Sequence, residues 1–114
     1  MIDLKTTLCR RELTIGSWIT IGSPIIAEIM ANSGFDWLTI DMEHSAITLN
    51  IAQDLIRVIE LCDCSPLVRI ADNDPVLIKR IMDAGAHGII VPAEEFDKPK
   101  TLFVLPPVIV KLGV

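Results

Sequence analysis

Three ionisable side chains follow one short, mostly apolar run. Residues 37–40 lead directly into Asp41, Glu43 and His44, the pattern of a buried strand that delivers catalytic groups to the end of a sheet. Because alternate residues of a strand share a face, Asp41 and Glu43 point one way and His44 the other, unless the strand has already ended. The alternative is that all three are solvated residues of a loop after a core strand, and their spacing alone leaves both interpretations open.

A second charged group, Arg69, stands between Val68 and Ile70 near the end of another apolar run. An arginine inside a buried strand needs a partner for its charge. Its planar guanidinium presents a fixed cationic fork that suits a carboxylate. We therefore predict a site role for Arg69, against the alternative of a surface arginine whose aliphatic stem packs on its neighbours.

The elements that must position these residues alternate between strands and helices. Runs rich in apolar and β-branched residues predict strands at 14–21, 36–41, 65–70 and 88–91. Helical spacing of apolar residues predicts helices at 3–13, 24–32, 48–61 and 75–83. Ser23 and Asp74 each precede a proline, which is the pattern of a capped helix start.

The strand starts recur at roughly two dozen residues, a period typical of βαβ units in a parallel sheet. We therefore predict an α/β fold. In an open α/β sheet or a (β/α) barrel, the carboxyl ends of the strands form the functional edge. Asp41, Glu43, His44 and Arg69 all fall at or just after predicted strand ends, so they share that edge.

Composition excludes several functional classes. The 114 residues suit one domain, and a net charge of −5 without a Lys/Arg cluster argues against a nucleic-acid partner. Neither a membrane-length apolar run nor a secretory signal is visible, so we expect no membrane partner and a cytoplasmic location. The three cysteines form no C-x-x-C pair, and no glycine-rich phosphate loop is present.

Short motifs spread over residues 16–92 occur together in one order and spacing. They are Gly16-x-Trp18, Ala27-Glu28, Gly34-Phe35-Asp36-Trp37, Ile40-Asp41-x-Glu43-His44, Val68-Arg69, Asp74-Pro75 with Ile78-Lys79, Asp83-x-Gly85 and Val91-Pro92. With these motifs the chain resembles the HpcH/HpaI aldolase and citrate lyase family, specifically the aldolases that work on pyruvate. The resemblance implies a TIM (β/α)8 barrel, of which the chain would form about the first four βα units.

By position, the resemblance implies that His44 is the catalytic base, that Arg69 stabilises developing negative charge, and that Asp83 raises the basicity of the histidine. The residues themselves favour Asp41 as the partner of His44, because Asp83 is predicted at a helix end before the fourth strand. We keep both alternatives and assign Asp41 and Glu43 supporting roles. Trp18 and Trp37 are predicted to be core or barrel residues.

The implied reaction is reversible cleavage of a 4-hydroxy-2-oxo acid to pyruvate and an aldehyde, as in the catabolism of aromatic or sugar acids. It would use a divalent metal, magnesium, manganese or cobalt, whose family ligands lie on later strands, so no metal ligand is predicted in this chain. Small-molecule substrates and a homo-oligomer are the expected partners. A citrate-lyase-type acyl-CoA enzyme is less favoured, because the Asp41-x-Glu43-His44 run resembles the aldolase branch.

After Pro92 the resemblance ends. Residues 1–92 are therefore predicted to be the N-terminal half of an aldolase barrel, and residues 93–114 a divergent tail typical of a truncated or frame-shifted product. The alternative function is accordingly that of a catalytically inactive fragment. Such a half-barrel would expose strand edges and an apolar face, which favours association.

Overall fold

The computed structural model describes residues 1–91 and, as a strand, residues 108–111. After a short N-terminal helix, strands and helices alternate along the chain. The elements are α1 (Leu4–Cys9), β1 (Gly16–Ile19), α2 (Pro24–Ala31), β2 (Trp37–Asp41), α3 (Leu49–Leu61), β3 (Ser65–Arg69), α4 (Pro75–Asp83), β4 (Gly88–Val91) and β5 (Val108–Lys111). The predicted α/β class is confirmed.

The strands form one parallel sheet in sequence order, β1-β2-β3-β4-β5. Crossovers between neighbouring parallel strands are right-handed, so a sheet that never reverses its strand order carries its connecting helices on one face. A doubly wound sheet, in contrast, reverses its order and carries helices on both faces. The arrangement is therefore that of consecutive βα units of a (β/α) barrel, as predicted.

Local signals define where the connecting helices of the described residues, α2, α3 and α4, begin. The side chains of Ser23, Thr48 and Asp74 cap α2, α3 and α4 by accepting hydrogen bonds from backbone N–H groups of the first turn. Pro24 and Pro75 occupy the first turn of α2 and α4, where a missing N–H leaves no hydrogen bond unmade. Each cap contributes about 1 kcal/mol and starts its helix soon after a strand end. The functional edge is therefore built from short loops.

The main core lies between the sheet and its helices. Alternate strand residues, among them Ile19, Leu38, Ile40, Val68 and Ile89, pack in one cluster with Leu55, Ile56 and Ile59 of α3. The other face of the sheet carries Trp18, Thr39, Asp41 and Arg69, as the pairing register requires. This second face is where the candidate site lies.

The first helix is shorter than predicted. It ends at Cys9 rather than near residue 13. Arg11 takes a positive φ of 55°, which an α-helix cannot continue. Leu13, expected on the apolar stripe of this helix, is instead 86% exposed.

Helix α2 buries its alanines rather than two of its isoleucines. Ile25 and Ile29 are 70% and 63% exposed, whereas Ala27 and Ala31 are buried. The small alanine side chains let the helix backbone lie close to its packing partners, mainly α3, so the larger residues are left outside.

Strand β5 was not predicted, because it falls within the segment set apart as a tail. Its backbone pairs with β4 from Gly88↔Val108 to Val91↔Lys111. The rest of that tail, 93–107 and 112–114, lies outside the described residues, and the division of the chain after residue 92 stays a prediction. Among the described residues, no helix is both long and apolar enough to cross a membrane.

Candidate functional site

The carboxyl ends of β2 and β3 bring Asp41 and Arg69 side by side. The two residues are partners in the strand register. Arg69 donates from Nε to Asp41 Oδ1 at 3.1 Å and from Nη2 to Oδ2 at 2.6 Å. This bidentate pair fixes both the position and the plane of the guanidinium more firmly than a single contact can. The partner that an arginine in a buried strand requires is therefore Asp41.

The Asp41 side chain also ends its own strand. Its Oδ1 accepts hydrogen bonds from the backbone N–H groups of Glu43 at 2.9 Å and His44 at 3.1 Å. The Ser45 hydroxyl donates to the carbonyl of Asp41. These hydrogen bonds form a turn, and the turn ends the backbone hydrogen-bond ladder of β2. The alternation expected for a continuing strand therefore does not apply to Glu43 and His44.

The pKa of Asp41 is set by opposing effects. Burial would raise the pKa of this carboxyl, but hydrogen bonds from Arg69 and from the N–H groups of His44 and Glu43 outweigh burial and lower it. Asp41 is therefore an anion at neutral pH. Its role in this arrangement is to hold Arg69 and the turn, since a carboxylate so engaged is a poor proton carrier.

Glu43 lies between His44 and Arg69. Its Oε1 is 2.8 Å from His44 Nε2, and its Oε2 is 3.9 Å from Arg69 Nε. The His44 side chain is 67% exposed, whereas that of Glu43 is 13% exposed. An imidazole that faces solvent beside a half-buried carboxylate can accept a proton from a bound molecule and exchange it with water.

Trp18 belongs to this cluster, although the sequence had suggested only a core or barrel position. The Arg69 guanidinium carbon lies 4.4 Å from the centroid of its ring, a cation–π stack. Trp18 pairs with Thr39 in the register of β1 and β2. Strand alternation therefore places Trp18 on the face of Asp41, and this alternation and the Gly16-x-Trp18 motif are the signals in the sequence that pointed towards the site.

Asp83 is not brought to the other four predicted residues within this chain. It is exposed and ends α4, which runs back from the carboxyl ends of the strands towards their amino ends. Nearby, the N–H of His87 donates to the carbonyl of Pro66, near the start of β3, at 2.8 Å. Asp83 instead lines a surface groove between α3 and α4, together with Asn50 and Gln53. Of the two acidic residues considered as partners of His44, Asp41 accepts a hydrogen bond from the His44 backbone N–H, and the carboxylate beside the imidazole is that of Glu43.

The described residues do not form a complete site for a divalent metal. Among residues 1–91, no group of three or more His, Cys, Asp or Glu side chains is arranged to hold a metal ion. The oxygens of Asp41 already accept hydrogen bonds from Arg69 and two backbone N–H groups. The adjacent guanidinium charge also opposes a cation at that carboxylate.

Comparison with known proteins shows clear relatives. The model of the HpcH/HpaI aldolase/citrate lyase family matches residues 14–100. The chain is 39% identical over 88 residues to 2-dehydro-3,6-dideoxy-6-sulfogluconate aldolase from Pseudomonas putida, covering 77% of this chain and 34% of that protein. It is 34% identical over 91 residues to 5-keto-4-deoxy-D-glucarate aldolase from Enterobacter sp. (strain 638), covering 80% and 36%. The chain thus spans about a third of the length of these curated relatives.

Solved structures share the fold. The crystal structure of citrate synthase SbnG superposes with a TM-score of 0.73 at 37% identity, over 78% of this chain and 36% of that chain. An HpcH/HpaI aldolase/citrate lyase family protein from Burkholderia cenocepacia J2315 superposes with a TM-score of 0.72 at 34% identity, over 81% and 37%.

Proposed function

Because the chain belongs to the HpcH/HpaI aldolase/citrate lyase family, we propose that it acts as an aldolase, a carbon–carbon lyase with a small-molecule substrate. The proposed reaction is reversible cleavage of a 4-hydroxy-2-oxo acid to pyruvate and an aldehyde. The observation that carries this proposal is the cluster at the carboxyl ends of β2 and β3, where a guanidinium held by Asp41 lies beside the His44–Glu43 pair. The names of two relatives as aldolases of deoxy sugar acids support it.

In this proposal His44 is the general base. It takes the proton of the C4 hydroxyl, the C3–C4 bond breaks, and the C4 carbon leaves as the aldehyde carbonyl. The electron pair of the broken bond forms the enolate of pyruvate, and the proton is then returned to C3. The exposed position of His44 gives a bound substrate access to the imidazole, and Glu43 orients the ring through its 2.8 Å contact.

Arg69 supplies positive charge where negative charge develops. With its side chain 26% exposed, the guanidinium reaches the edge of the sheet while Asp41 holds it in place. A cation that is already oriented stabilises an enolate or carboxylate oxygen without reorganising during the reaction. Asp41 acts through Arg69 and the turn rather than on the substrate.

The resemblance to pyruvate aldolases also implies magnesium, manganese or cobalt, which when bound would polarise the 2-oxo group. The residues in 1–91 do not provide a ligand set for such an ion. The roles proposed here for His44, Glu43, Arg69 and Asp41 rest only on their own contacts.

Proton exchange at the pyruvate methyl group tests the proposal directly. The chain is incubated with pyruvate in deuterium oxide, with manganese or cobalt added, and the methyl signal is followed by NMR. We expect exchange by the wild-type chain and a loss of about 10²-fold or more in His44→Ala, the usual contribution of a general base.

The chain offers a matched control, His87→Ala. His87 also pairs with a glutamate, Glu60, at 3.0 Å, but it lies towards the amino ends of the strands. Exchange should therefore be unchanged in this variant. Equal exchange in His44→Ala and wild type would refute the role of His44, and no exchange from a folded wild-type chain would refute the aldolase proposal in favour of the inactive fragment.

A further inference from the structure

Trp18 is placed unlike an ordinary core tryptophan. It lies on β1, which pairs only with β2 among the described strands. The core cluster between sheet and helices includes its neighbour Ile19 but not Trp18. Trp18 is partly exposed on the opposite face of the sheet. Trp18 therefore packs on the face of the sheet that carries the candidate site.

The Arg69 side chain reaches Trp18 across an intervening strand. Arg69 lies on β3 and pairs in register with Asp41 of β2, whereas Trp18 lies on β1 and pairs with Thr39 of β2. The contact between the Arg69 guanidinium and the Trp18 ring, at 4.4 Å, therefore joins β3 to β1 across β2. At the position paired with Trp18, β2 carries the small side chain of Thr39. Asp41 holds two nitrogens of the guanidinium, and the indole ring lies against its face. The cation on β3 is thus oriented by one residue from each of the two preceding strands.

We propose that Trp18 is a positioning residue, which orients Arg69 towards an anionic oxygen of the bound 2-oxo acid; this inference rests on the proposed function. The Trp18 ring already restricts the motion of the guanidinium, so binding of a carboxylate or enolate costs little further conformational entropy. When the ring is removed, the pair with Asp41 still sets the plane of the guanidinium, but the guanidinium loses the contact on one side that limits its motion. Binding of the anion then weakens more than the chemical step slows.

Two substitutions at Trp18 distinguish the effect of the aromatic ring from the effect of apolar packing alone. Trp18→Leu keeps an apolar side chain without a ring, and Trp18→Phe keeps a smaller ring. Deuterium exchange is measured against pyruvate concentration for each full-length variant. We expect the pyruvate KM to rise about two- to thirty-fold in Trp18→Leu, the range that a cation–π contact of ordinary strength corresponds to. The maximal rate should change less than the KM, and Trp18→Phe should restore most of the binding.

The matched control is Trp37→Leu. Trp37 lies on the same sheet face, but its ring packs over Gly16 and its Nε1 donates to Thr14 Oγ1 at 3.3 Å. Loss of this ring should leave the pyruvate KM unchanged. Circular dichroism of each variant confirms that it is folded.

A spectroscopic measurement tests the stack without catalysis. A proton above an aromatic ring has its NMR signal shifted upfield. The Arg69 Nε–H signal of the wild type should therefore lie upfield of that of an arginine without such a ring. Loss of the signal in Arg69→Lys assigns it. It should move downfield in Trp18→Leu and stay in place in Trp37→Leu. An Arg69 signal or a pyruvate KM unaffected by Trp18→Leu would overturn the positioning role alone. A folded wild-type chain without exchange would overturn the proposed function and this role together.

Discussion

The substitution Asp41→Asn removes the charge that holds Arg69 while keeping the shape of the side chain. The amide oxygen can still accept from the N–H groups of Glu43 and His44. The amide nitrogen, however, then faces Arg69 Nη2, so a donor replaces the acceptor that lies 2.6 Å away. Loss of one charge-assisted hydrogen bond costs about 1.5–3 kcal/mol. Because 26% of the Arg69 side chain is exposed, we expect the lower part of that range, about 2 kcal/mol of unfolding free energy.

Urea unfolding at several pH values measures this effect. At pH 7 the midpoint of Asp41→Asn should lie about 1 M below that of the wild type, for a slope of about 1–3 kcal/mol/M. The pKa of Asp41 is lowered in the folded protein from an ordinary value of 3.8. The stabilisation of the folded protein by the charged Asp41 is therefore complete above pH 3.8. This stabilisation is lost as the pH falls through the folded-state pKa of Asp41. The difference between wild type and variant should shrink once the pH drops below about 4.

An exposed aspartate provides the control for this experiment. Asp54→Asn, on the solvent side of α3, should change the unfolding free energy by no more than about 0.5 kcal/mol. An Asp41→Asn midpoint equal to that of the wild type at pH 7 would contradict the argument. So would a deficit that is as large at pH 3 as at pH 7, because it would show that the charge of Asp41 is not the source of the stabilisation.

Two further outcomes follow from buried groups. Burial raises the pKa of the Cys64 thiol to about 11, and its Sγ donates to the Phe35 carbonyl at 3.4 Å. An alkylating reagent at pH 8 should therefore modify the exposed Cys9 and spare Cys64 in the folded protein. Mass spectrometry of the peptides identifies the modified cysteine, and equal labelling of both would contradict the burial of Cys64. Thr39 Oγ1 is buried and has no hydrogen-bond partner among the described residues, so Thr39→Val should raise the unfolding free energy by about 1 kcal/mol. A thermal melt checks this, and a lower melting temperature would show that the hydroxyl has a partner in solution.

Much of the fold could be predicted from local signals. The start of α4 at Pro75 and the bounds of β4, Gly88–Val91, agree with the sequence-based prediction. Asp74 can cap only the helix that follows it, and a proline in the first turn has its φ already set. Such signals act within a few residues, so one sequence is enough to recognise them.

The buried face of α2 depended on packing between residues distant in the chain. Ala27 and Ala31 are buried, whereas Ile25 and Ile29 remain exposed. The spacing of apolar residues in the sequence does not determine which of these residues face the core.

For the candidate site, the shared edge of the sheet could be predicted for Asp41, Glu43, His44 and Arg69 from their places in the chain, because in a parallel sheet all strand ends of one kind meet at one edge. The contacts between these side chains became visible in the folded sheet. Asp41 holds Arg69, and Glu43 contacts His44. Trp18 joins them across β2, and Asp83 ends a helix away from the cluster. These pairings depend on strand register and side-chain rotamers, which are set by packing over the whole sheet and not by neighbours in the chain.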